Sequence, residues 1–307
     1  MAENFRTSPD HENEGWPPGV PYIIGNEGCE RFSFYGMKAI LYVHITSLFA
    51  LMGQAETMAK NSSTELVHTF IAGVYAFPII GAVLADRLLG KYKTILYLSL
   101  VYCLGHGVMS AGDFLLAEDA GEAKLKFAVV GLALIAIGSG GIKPCVSANV
   151  GDQFGKKNWF RVRTVFQAFY FIINFGSAFA TILIPVTKEM FGAGVAFGIP
   201  GILMFIATIV FWSGRNKFVH VPPRKPGKLG TLDTIASSLL FTPVGIFLFA
   251  DLTTHIPVKV AVGLIAFIAG LVVFNVRQKM EPDDGFLAIM FFALFNRGNS
   301  SVAGSSR

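Results

Sequence analysis

Charged residues are scarce in this chain of 307 residues. Asp, Glu, Lys and Arg together make up 15% of it, whereas soluble domains carry roughly 25%. Hydrophobic residues reach 53%, among them 29 phenylalanines, and the mean hydropathy is +0.56. This deficit of charge favours an integral membrane protein over a protein with a large soluble core.

The signatures of several other protein classes are also missing. The three cysteines, Cys29, Cys103 and Cys145, lie in apolar segments without metal-ligand spacing, so we expect buried packing residues and no disulfide framework. The polar first 20 residues lack the basic and apolar regions of a secretory signal, so the first span should remain in the mature protein. No phosphate loop, zinc motif or nucleophile elbow occurs. We therefore expect no enzyme, no cofactor and no nucleic-acid partner.

Apolar segments long enough to cross a bilayer recur along the chain. A span needs about 20 mainly apolar residues. Eight segments qualify: 21–52, 65–89, 93–113, 124–150, 160–186, 194–214, 232–252 and 256–277. The prediction is an all-α polytopic membrane protein. Its parts are a cytoplasmic segment (1–20), a six-span bundle (21–214), a basic linker (215–231), a two-helix hairpin (232–277), and an interfacial segment with a disordered tail (278–307).

Lysine and arginine concentrate in alternate loops. The basic loops follow the second, fourth and sixth spans, and they contain Arg87, Lys91, Lys93, Lys156, Lys157, Arg161, Arg163, Arg215, Lys217, Arg224, Lys225 and Lys228. The loops between them are poorer in basic residues. Because cytoplasmic loops carry the excess of positive charge, both termini are expected in the cytoplasm, with an even number of spans.

The first span contains charges that a lipid-exposed helix would not carry. Glu27, Glu30 and Arg31 are spaced i, i+3, i+4 and share one helical face, which Tyr35 and Lys38 continue. A charge at the bilayer centre costs about 3 kcal/mol or more, so such groups face a bundle interior or a wet cavity and usually pair. Two carboxylates beside one guanidinium leave a carboxylate able to bind a proton. The face is a candidate proton-coupling site, and a structural salt bridge is the alternative.

The fourth span supplies a second cation inside the membrane. Lys143 follows the small residues 138–141 and precedes Pro144. Small residues allow helices to approach closely, and a proline permits a bend. Since the first and fourth spans run in opposite directions and can lie side by side, we expect Lys143 to reach towards Glu27 or Glu30. The alternative is that its side chain extends to the inner interface.

The junction between the second and third spans has its own pattern. Gly81 would allow helix contact, Gly90 would make a tight turn, and Asp86, next to Arg87, could accept bonds from nearby amides and cations. This pattern resembles the loop signature of the major facilitator superfamily. It indicates the fold and says little about the substrate.

Two further polar residues, His68 and Asn174, stand alone in their spans. A lone histidine such as His68 is usually structural, although imidazole can titrate between about pH 5 and 8. Asn174 lies in an otherwise apolar span, where interhelical hydrogen bonding is the simplest interpretation. His44 and His106 have no companions in the sequence and are interpreted as packing residues.

Taken together, the motifs resemble those of the proton-coupled oligopeptide transporters of the major facilitator superfamily. Three runs carry the resemblance: Glu27-xx-Glu30-Arg31-Phe32-xx-Tyr35-Gly36, Gly140-Gly141-x-Lys143-Pro144 continuing to 151–154, and Phe169-Tyr170-xxx-Asn174-x-Gly176-Ser177. They occur in the family's order within residues 20–222. The resemblance implies a six-helix amino-terminal bundle of the major facilitator fold, and the hairpin after it resembles an insertion of bacterial members.

The resemblance also implies roles for individual residues. Proton coupling would involve Glu27, Glu30, Arg31, Lys143 and, as in animal-type members, His68. The substrate cavity would be lined by Tyr35, Lys38, Tyr75 and Asn174. The partners would be small peptides, protons and membrane lipid, with the proton as coupling ion in place of any cofactor.

The chain departs from the family pattern at several points. Lys38 stands where arginine is usual, which keeps the charge but loses the bidentate fork, and Phe34 replaces a common tyrosine. The second six-helix bundle of the family is expected but does not follow residue 277. We predict proton-driven symport of di- and tripeptides by alternating access in a bacterial inner membrane. The alternatives are a truncated, transport-inactive scaffold and a carrier of nitrate or another small anion.

Overall fold

Long apolar helices make up most of the structure. The structure is a computed structural model, and it describes residues 5–224, 226–249 and 256–281. The helices are α1 (Val20–Leu51), α2 (Glu56–Ala76), α3 (Pro78–Leu84), α4 (Lys91–Leu115), α5 (Gly121–Asp152), α6 (Val162–Ser213), α7 (Lys228–Phe249) and α8 (Ile256–Met280). A π-helical turn (Ala85–Leu89) leads from α3 to Gly90. The interfacial segment and tail predicted for 282–307 lie outside the described residues.

Seven helical stretches in the described part of the chain are long and apolar enough to cross a membrane. The stretch that contains α6 is too long for one crossing. At 1.5 Å per residue its 52 residues extend roughly 78 Å, against a hydrocarbon core of about 30 Å. Gly192 divides it, with φ 85° and ψ 170°, a backbone conformation that glycine adopts at little cost.

Contacts with α1 show that the chain reverses at Gly192. The first half of α6 runs parallel to α1: a Cβ added to Gly28 would lie 2.7 Å from Ile172, and one added to Gly36 would lie 2.6 Å from Ile184. The second half runs antiparallel, since the α1 residues in contact with positions 197, 200 and 214 are, in order, 44, 33 and 22. The predicted fifth and sixth spans are therefore two crossings. However, the loop expected between 186 and 194 is helical up to residue 191.

The second predicted span also differs in detail. It begins at Glu56 rather than near residue 65, and it breaks into α2 and α3 at Phe77. Pro78 follows the break and has no amide hydrogen to donate to the preceding turn. The predicted span does not include the polar residues 56–64, because their low hydropathy is typical of a loop.

The chain divides into two compact units, residues 1–223 and 224–307. In the second unit α7 and α8 pack as a hairpin, with Gly270 against Leu240. Arg277 is fully buried, and its Nε lies 2.9 Å from a carboxylate oxygen of Asp233.

In the first unit, residues 5–19 form what we call the amino-terminal strap. Asn158 donates to the carbonyl of Gly15 (3.0 Å), Arg161 donates to that of Glu14 (2.9 Å), and the amide of His220 donates to that of Arg6 (2.7 Å). The strap therefore bonds both to the turn before α6 and to the segment after it. The start of α1 and the end of α6 lie on the same face of this unit, which fits an even number of crossings within it.

Candidate functional site

Three charged residues of α1, Glu27, Glu30 and Arg31, form a compact and largely buried cluster. Glu27 and Glu30 are 4% and 1% exposed. Arg31 Nε donates to Glu27 Oε1 at 2.7 Å and lies 3.2 Å from Glu30 Oε2. The guanidinium therefore holds the two carboxylates together on one helical face, as their spacing predicts.

Glu30 is also tied to α5. Ser139 Oγ donates to Glu30 Oε1 at 2.6 Å, and Ser139 is itself fully buried. The small residues around Ser139 permit this approach, because a side chain at Gly138 would clash with Tyr102 and one at Gly140 would clash with Phe77. One carboxylate is therefore bonded mainly to a cation of its own helix, and the other bridges to a neighbouring helix.

The structure places Lys143 near this cluster but not in an ion pair with it. Its Nζ lies 4.7 Å from the ring centroid of Phe34 and 5.3 Å from that of Tyr75, whereas no carboxylate of the described residues lies within 4.0 Å of it. The sequence predicts that Lys143 reaches towards Glu27 or Glu30, and the structure shows no ion pair between Lys143 and either carboxylate. The aromatic faces occupy the ammonium, and the carboxylates act on it through space.

Three of the predicted substrate residues lie around Lys143. Tyr75 contacts the ammonium directly and is 73% exposed. Tyr35 packs edge-to-face on Phe34, and the same ammonium lies over the Phe34 ring. Lys38 is exposed, and its charge acts on Lys143. These groups form a continuous aromatic and cationic surface next to the buried carboxylates.

Two other predicted residues are not drawn into this group. Asn174 is exposed, and its amide donates to the carbonyl of Tyr170, one turn earlier in α6, at 2.7 Å. It does not bridge helices through a hydrogen bond to any described residue. His68 is exposed on α2, with no hydrogen bond or ion pair among the residues that the structure describes.

The predicted loop motif shapes the end of the unit at which α3 leads into α4. A Cβ at Gly81 would clash with the backbone of Gly141, so α3 and α5 touch at glycine. Gly90 turns the chain into α4 with φ 80°. Arg87 is buried, whereas Asp86 is exposed and accepts no hydrogen bond from the described residues, unlike the expected role. The ion pair found here joins Lys91 to Asp152 of α5 at 2.7 Å.

The sequence interpretation missed a set of polar side chains that face the bundle interior. His44 Nε2 lies 3.7 Å from Asp113 Oδ2, and His106 Nδ1 lies 3.1 Å from the carbonyl of Phe197. The helical spacing of positions 99, 102, 106, 110 and 113 along α4 could have revealed this face. His44 could be matched to Asp113 only in three dimensions.

The sequence and the fold of this chain are similar to those of known proteins. Residues 92–233 match the sequence profile of the POT family (PTR2), and POT transporters of known structure share the fold. The chain belongs to the POT family. The POT family transporter PepTSo, in its in meso crystal structure, superimposes with a TM-score of 0.63 at 38% identity, covering 87% of this chain and 55% of that one. This match confirms the predicted helical transporter fold.

Curated relatives of this POT family chain are named as solute carriers and peptide transporters. Solute carrier family 15 member 2 of Danio rerio is 42% identical over 229 residues, 72% of this chain and 30% of that protein. Peptide transporter family 1 of Drosophila melanogaster is 47% identical over 216 residues, 68% of this chain and 28% of that protein. These relatives are transporters, which confirms the prediction that the chain is not an enzyme. The chain spans less than a third of their length.

Proposed function

We propose that this chain is the amino-terminal half of a proton-coupled symporter of di- and tripeptides that works by alternating access. The observation that carries the proposal is the buried set of Glu27, Glu30 and Arg31 beside Lys143. One guanidinium neutralises the charge of only one carboxylate, so the negative charges of Glu27 and Glu30 cannot both be neutralised by Arg31. One of the two carboxylates can therefore bind a proton and give up its contact with the guanidinium. The proton would be the coupling ion, with no further cofactor.

The two carboxylates have different parts in this proposal. Glu27 takes the shorter contact with Arg31, so it orients the guanidinium. Glu30 has the longer contact with Arg31 and a hydrogen bond from Ser139, so protonation there would release both α5 and the guanidinium. We assign the coupling proton to Glu30 for that reason. His68 would act only in a conformation that brings it closer to this set, since it bonds to none of the described residues here.

The surface around Lys143 is suited to a peptide. Lys38 and Lys143 provide positive charge for the carboxylate of a small peptide, and Tyr35 and Tyr75 provide aromatic faces and hydroxyls. The name of the Drosophila relative, a peptide transporter, supports the same substrate class. Asn174 would join the site from α6, where its side chain is exposed.

The rest of the transporter follows from the same proposal. A second six-helix bundle would cover the exposed aromatic residues of α2 and α6, such as Tyr75 (73% exposed) and Tyr170 (70% exposed), and would close the cavity. Membrane lipid would surround the two bundles. The basic loops support cytoplasmic termini. The bacterial inner membrane remains a prediction, which rests on the resemblance of the hairpin to the insertion of bacterial members.

Proteoliposomes with a pH gradient test this function. The chain is reconstituted alone and, in parallel, with the carboxyl-terminal bundle of a POT relative, and uptake of a labelled dipeptide is measured. Glu30→Gln should lower gradient-driven uptake by at least about tenfold while preserving exchange of internal for external peptide, because exchange needs no net proton movement. Glu56→Gln is the matched control, since Glu56 is exposed and pairs with Lys60, one turn away in α2.

Each outcome assigns a function. Unchanged driven uptake in Glu30→Gln would contradict the coupling role. If neither preparation moves dipeptide, the transport-inactive scaffold is the better interpretation. If the preparation takes up labelled nitrate and an excess of dipeptide does not reduce that uptake, the chain belongs to a carrier of small anions. Gradient-driven uptake by the chain alone would reject the scaffold and would also show that the second bundle is dispensable.

A further inference from the structure

A line of buried polar side chains on α4 has no part in the mechanism proposed above. Ser99, Tyr102, His106 and Ser110 are between 0% and 9% exposed, and Asp113 continues the line to the outer end of the helix. Their spacing of three and four residues puts them on one helical face. We call this set the α4 stripe.

Several atoms of the α4 stripe lack a hydrogen-bond partner among the residues that the structure describes. They are the hydroxyls of Ser99 and Tyr102, Nε2 of His106 and Oδ2 of Asp113, and all four are buried. Buried polar atoms are nearly always paired, and those without a protein partner are commonly paired with internal water. Since these atoms lie in a row along one face of α4, the waters that would bond to them also lie in a row.

The inner end of the α4 stripe reaches the carboxylate cluster. The charges of Glu30 and Arg31 act on the hydroxyl of Tyr102. Tyr102 packs on Gly138, because a Cβ added to Gly138 would lie 2.7 Å from the Cβ of Tyr102. Ser139, which follows Gly138, donates its hydroxyl hydrogen to Glu30. At Tyr102 the stripe therefore lies beside the carboxylate to which we assign the coupling proton.

His106 occupies the middle of the stripe in a defined tautomer. Its Nδ1 lies 3.1 Å from the carbonyl of Phe197, and because a carbonyl only accepts, this nitrogen carries the hydrogen. The unpartnered Nε2 is then an acceptor, and the ring lies 4.9 Å from that of Tyr102. A hydrogen donor such as water can therefore bond between the imidazole and the phenol.

The outer end of the stripe has a pair of groups that can bind a proton. His44 Nε2 and Asp113 Oδ2 are 3.7 Å apart, which is too far for a hydrogen bond. A small rotation of either side chain would bring the two atoms within hydrogen-bond distance. The ring of Phe197 packs 4.9 Å from His44, so the same residue supports both histidines. The other charges that act on this pair are Lys124 of α5 and Lys188 of α6.

We propose that the α4 stripe is a water-lined proton route inside the bundle, which leads from the outer face to Glu30, with His44 and Asp113 as the proton-binding pair at its entrance. Tyr102 and Asp113 are 11 residues apart, roughly 16 Å along the helix. Steps of three or four residues divide this into gaps of about 5–6 Å, each of which one water can bridge with two hydrogen bonds. A proton from outside water binds the pair, passes along the waters to Glu30, and is replaced at the pair from outside.

This inference rests on the proposed coupling role of Glu30, so the test uses the same transporting preparation. Tyr102→Phe and Asp113→Asn each remove one polar function while keeping the side-chain shape. The matched controls are Tyr97→Phe, at a tyrosine of the same helix that is 49% exposed, and Asp119→Asn, at an exposed aspartate of the following turn. Gradient-driven dipeptide uptake and peptide exchange are measured for all four variants.

The expected result separates proton supply from peptide movement. Tyr102→Phe and Asp113→Asn should each lower gradient-driven uptake by about tenfold or more, since loss of a positioned proton-transfer group has effects of that size or larger. Exchange should stay within about twofold of the unmodified protein, and both controls should match it.

Other results would overturn the route. If Glu30→Gln abolishes driven uptake but the stripe variants behave like Tyr97→Phe, the coupling role stands and the route is wrong. If the stripe variants lose exchange as well, the stripe is needed for folding or packing, and the route is also rejected. If Glu30→Gln has no effect, the proposed function itself fails, whatever the stripe variants do.

Discussion

Gly81→Ala should destabilise the first unit, whereas Gly107→Ala should not. Both glycines lie inside helices. A Cβ at Gly81 would meet the Cα, carbonyl carbon and oxygen of Gly141, which are backbone atoms and cannot rotate away. A Cβ at Gly107 would meet nothing within 4 Å. The two substitutions are chemically identical, so a difference between them reports on the contact between α3 and α5.

The size of the difference follows from two opposing contributions. Alanine is favoured over glycine in a helix interior by about 0.8–1 kcal/mol, and this gain applies at both positions. Overpacking at a rigid contact costs about 1–3 kcal/mol, and it applies only at Gly81. Gly107→Ala should therefore stabilise the protein by up to about 1 kcal/mol. Gly81→Ala should lie about 1–3 kcal/mol below it in the free energy of unfolding.

Thermal unfolding of the purified chain in detergent measures this difference, followed by far-UV circular dichroism. A domain of this size shifts by about 2–4 °C per kcal/mol, so the melting temperatures of the two variants should differ by roughly 2–12 °C. The unmodified chain is the common reference. If Gly81→Ala melts at or above the temperature of Gly107→Ala, the two helices do not meet at this glycine, and the close approach of α3 to α5 is wrong.

Three further substitutions test other contacts. Arg277→Leu should cost about 3–5 kcal/mol in thermal unfolding because it leaves the Asp233 carboxylate buried, and replacing both residues by leucine should restore most of that stability. Lys91→Ala should cost about 1 kcal/mol, less at high salt, whereas the exposed Lys60→Ala should cost under about 0.5 kcal/mol; equal effects would contradict the partly buried geometry. Asn158→Ala should speed proteolysis within the amino-terminal strap, and an unchanged digestion rate would show that this bond does not hold it.

The carboxylate cluster could be predicted from the sequence because its geometry is local. Glu27, Glu30 and Arg31 belong to one helix, and the pitch of that helix alone brings them together. The same holds for Gly90, whose positive φ depends on the turn that it forms. Features that depend on one helix, or on one turn, are therefore available before the fold is known.

The contacts between helices are harder to predict from the sequence. Opposite charge suggests that Lys143 meets a carboxylate, but its ammonium lies over the rings of Phe34 and Tyr75. The placement of these rings depends on how α1, α2 and α5 cross. Asn174 satisfies its amide within its own helix, which no polarity pattern distinguishes from a bridge. His44 and Asp113 are far apart in sequence on different helices, so their proximity became evident only from the structure.

The fold-back at Gly192 has a practical consequence for mapping the protein in intact cells. A count that treats residues 159–213 as one crossing would assign Arg6 and Lys217 to opposite compartments. The structure instead bonds Lys217 to Tyr22 at the start of α1. An impermeant amine reagent for Lys217 and a protease that cleaves after Arg6 must therefore act from the same compartment. Because the helix continues up to Gly192, antibodies and proteases would find almost no free loop between these two crossings.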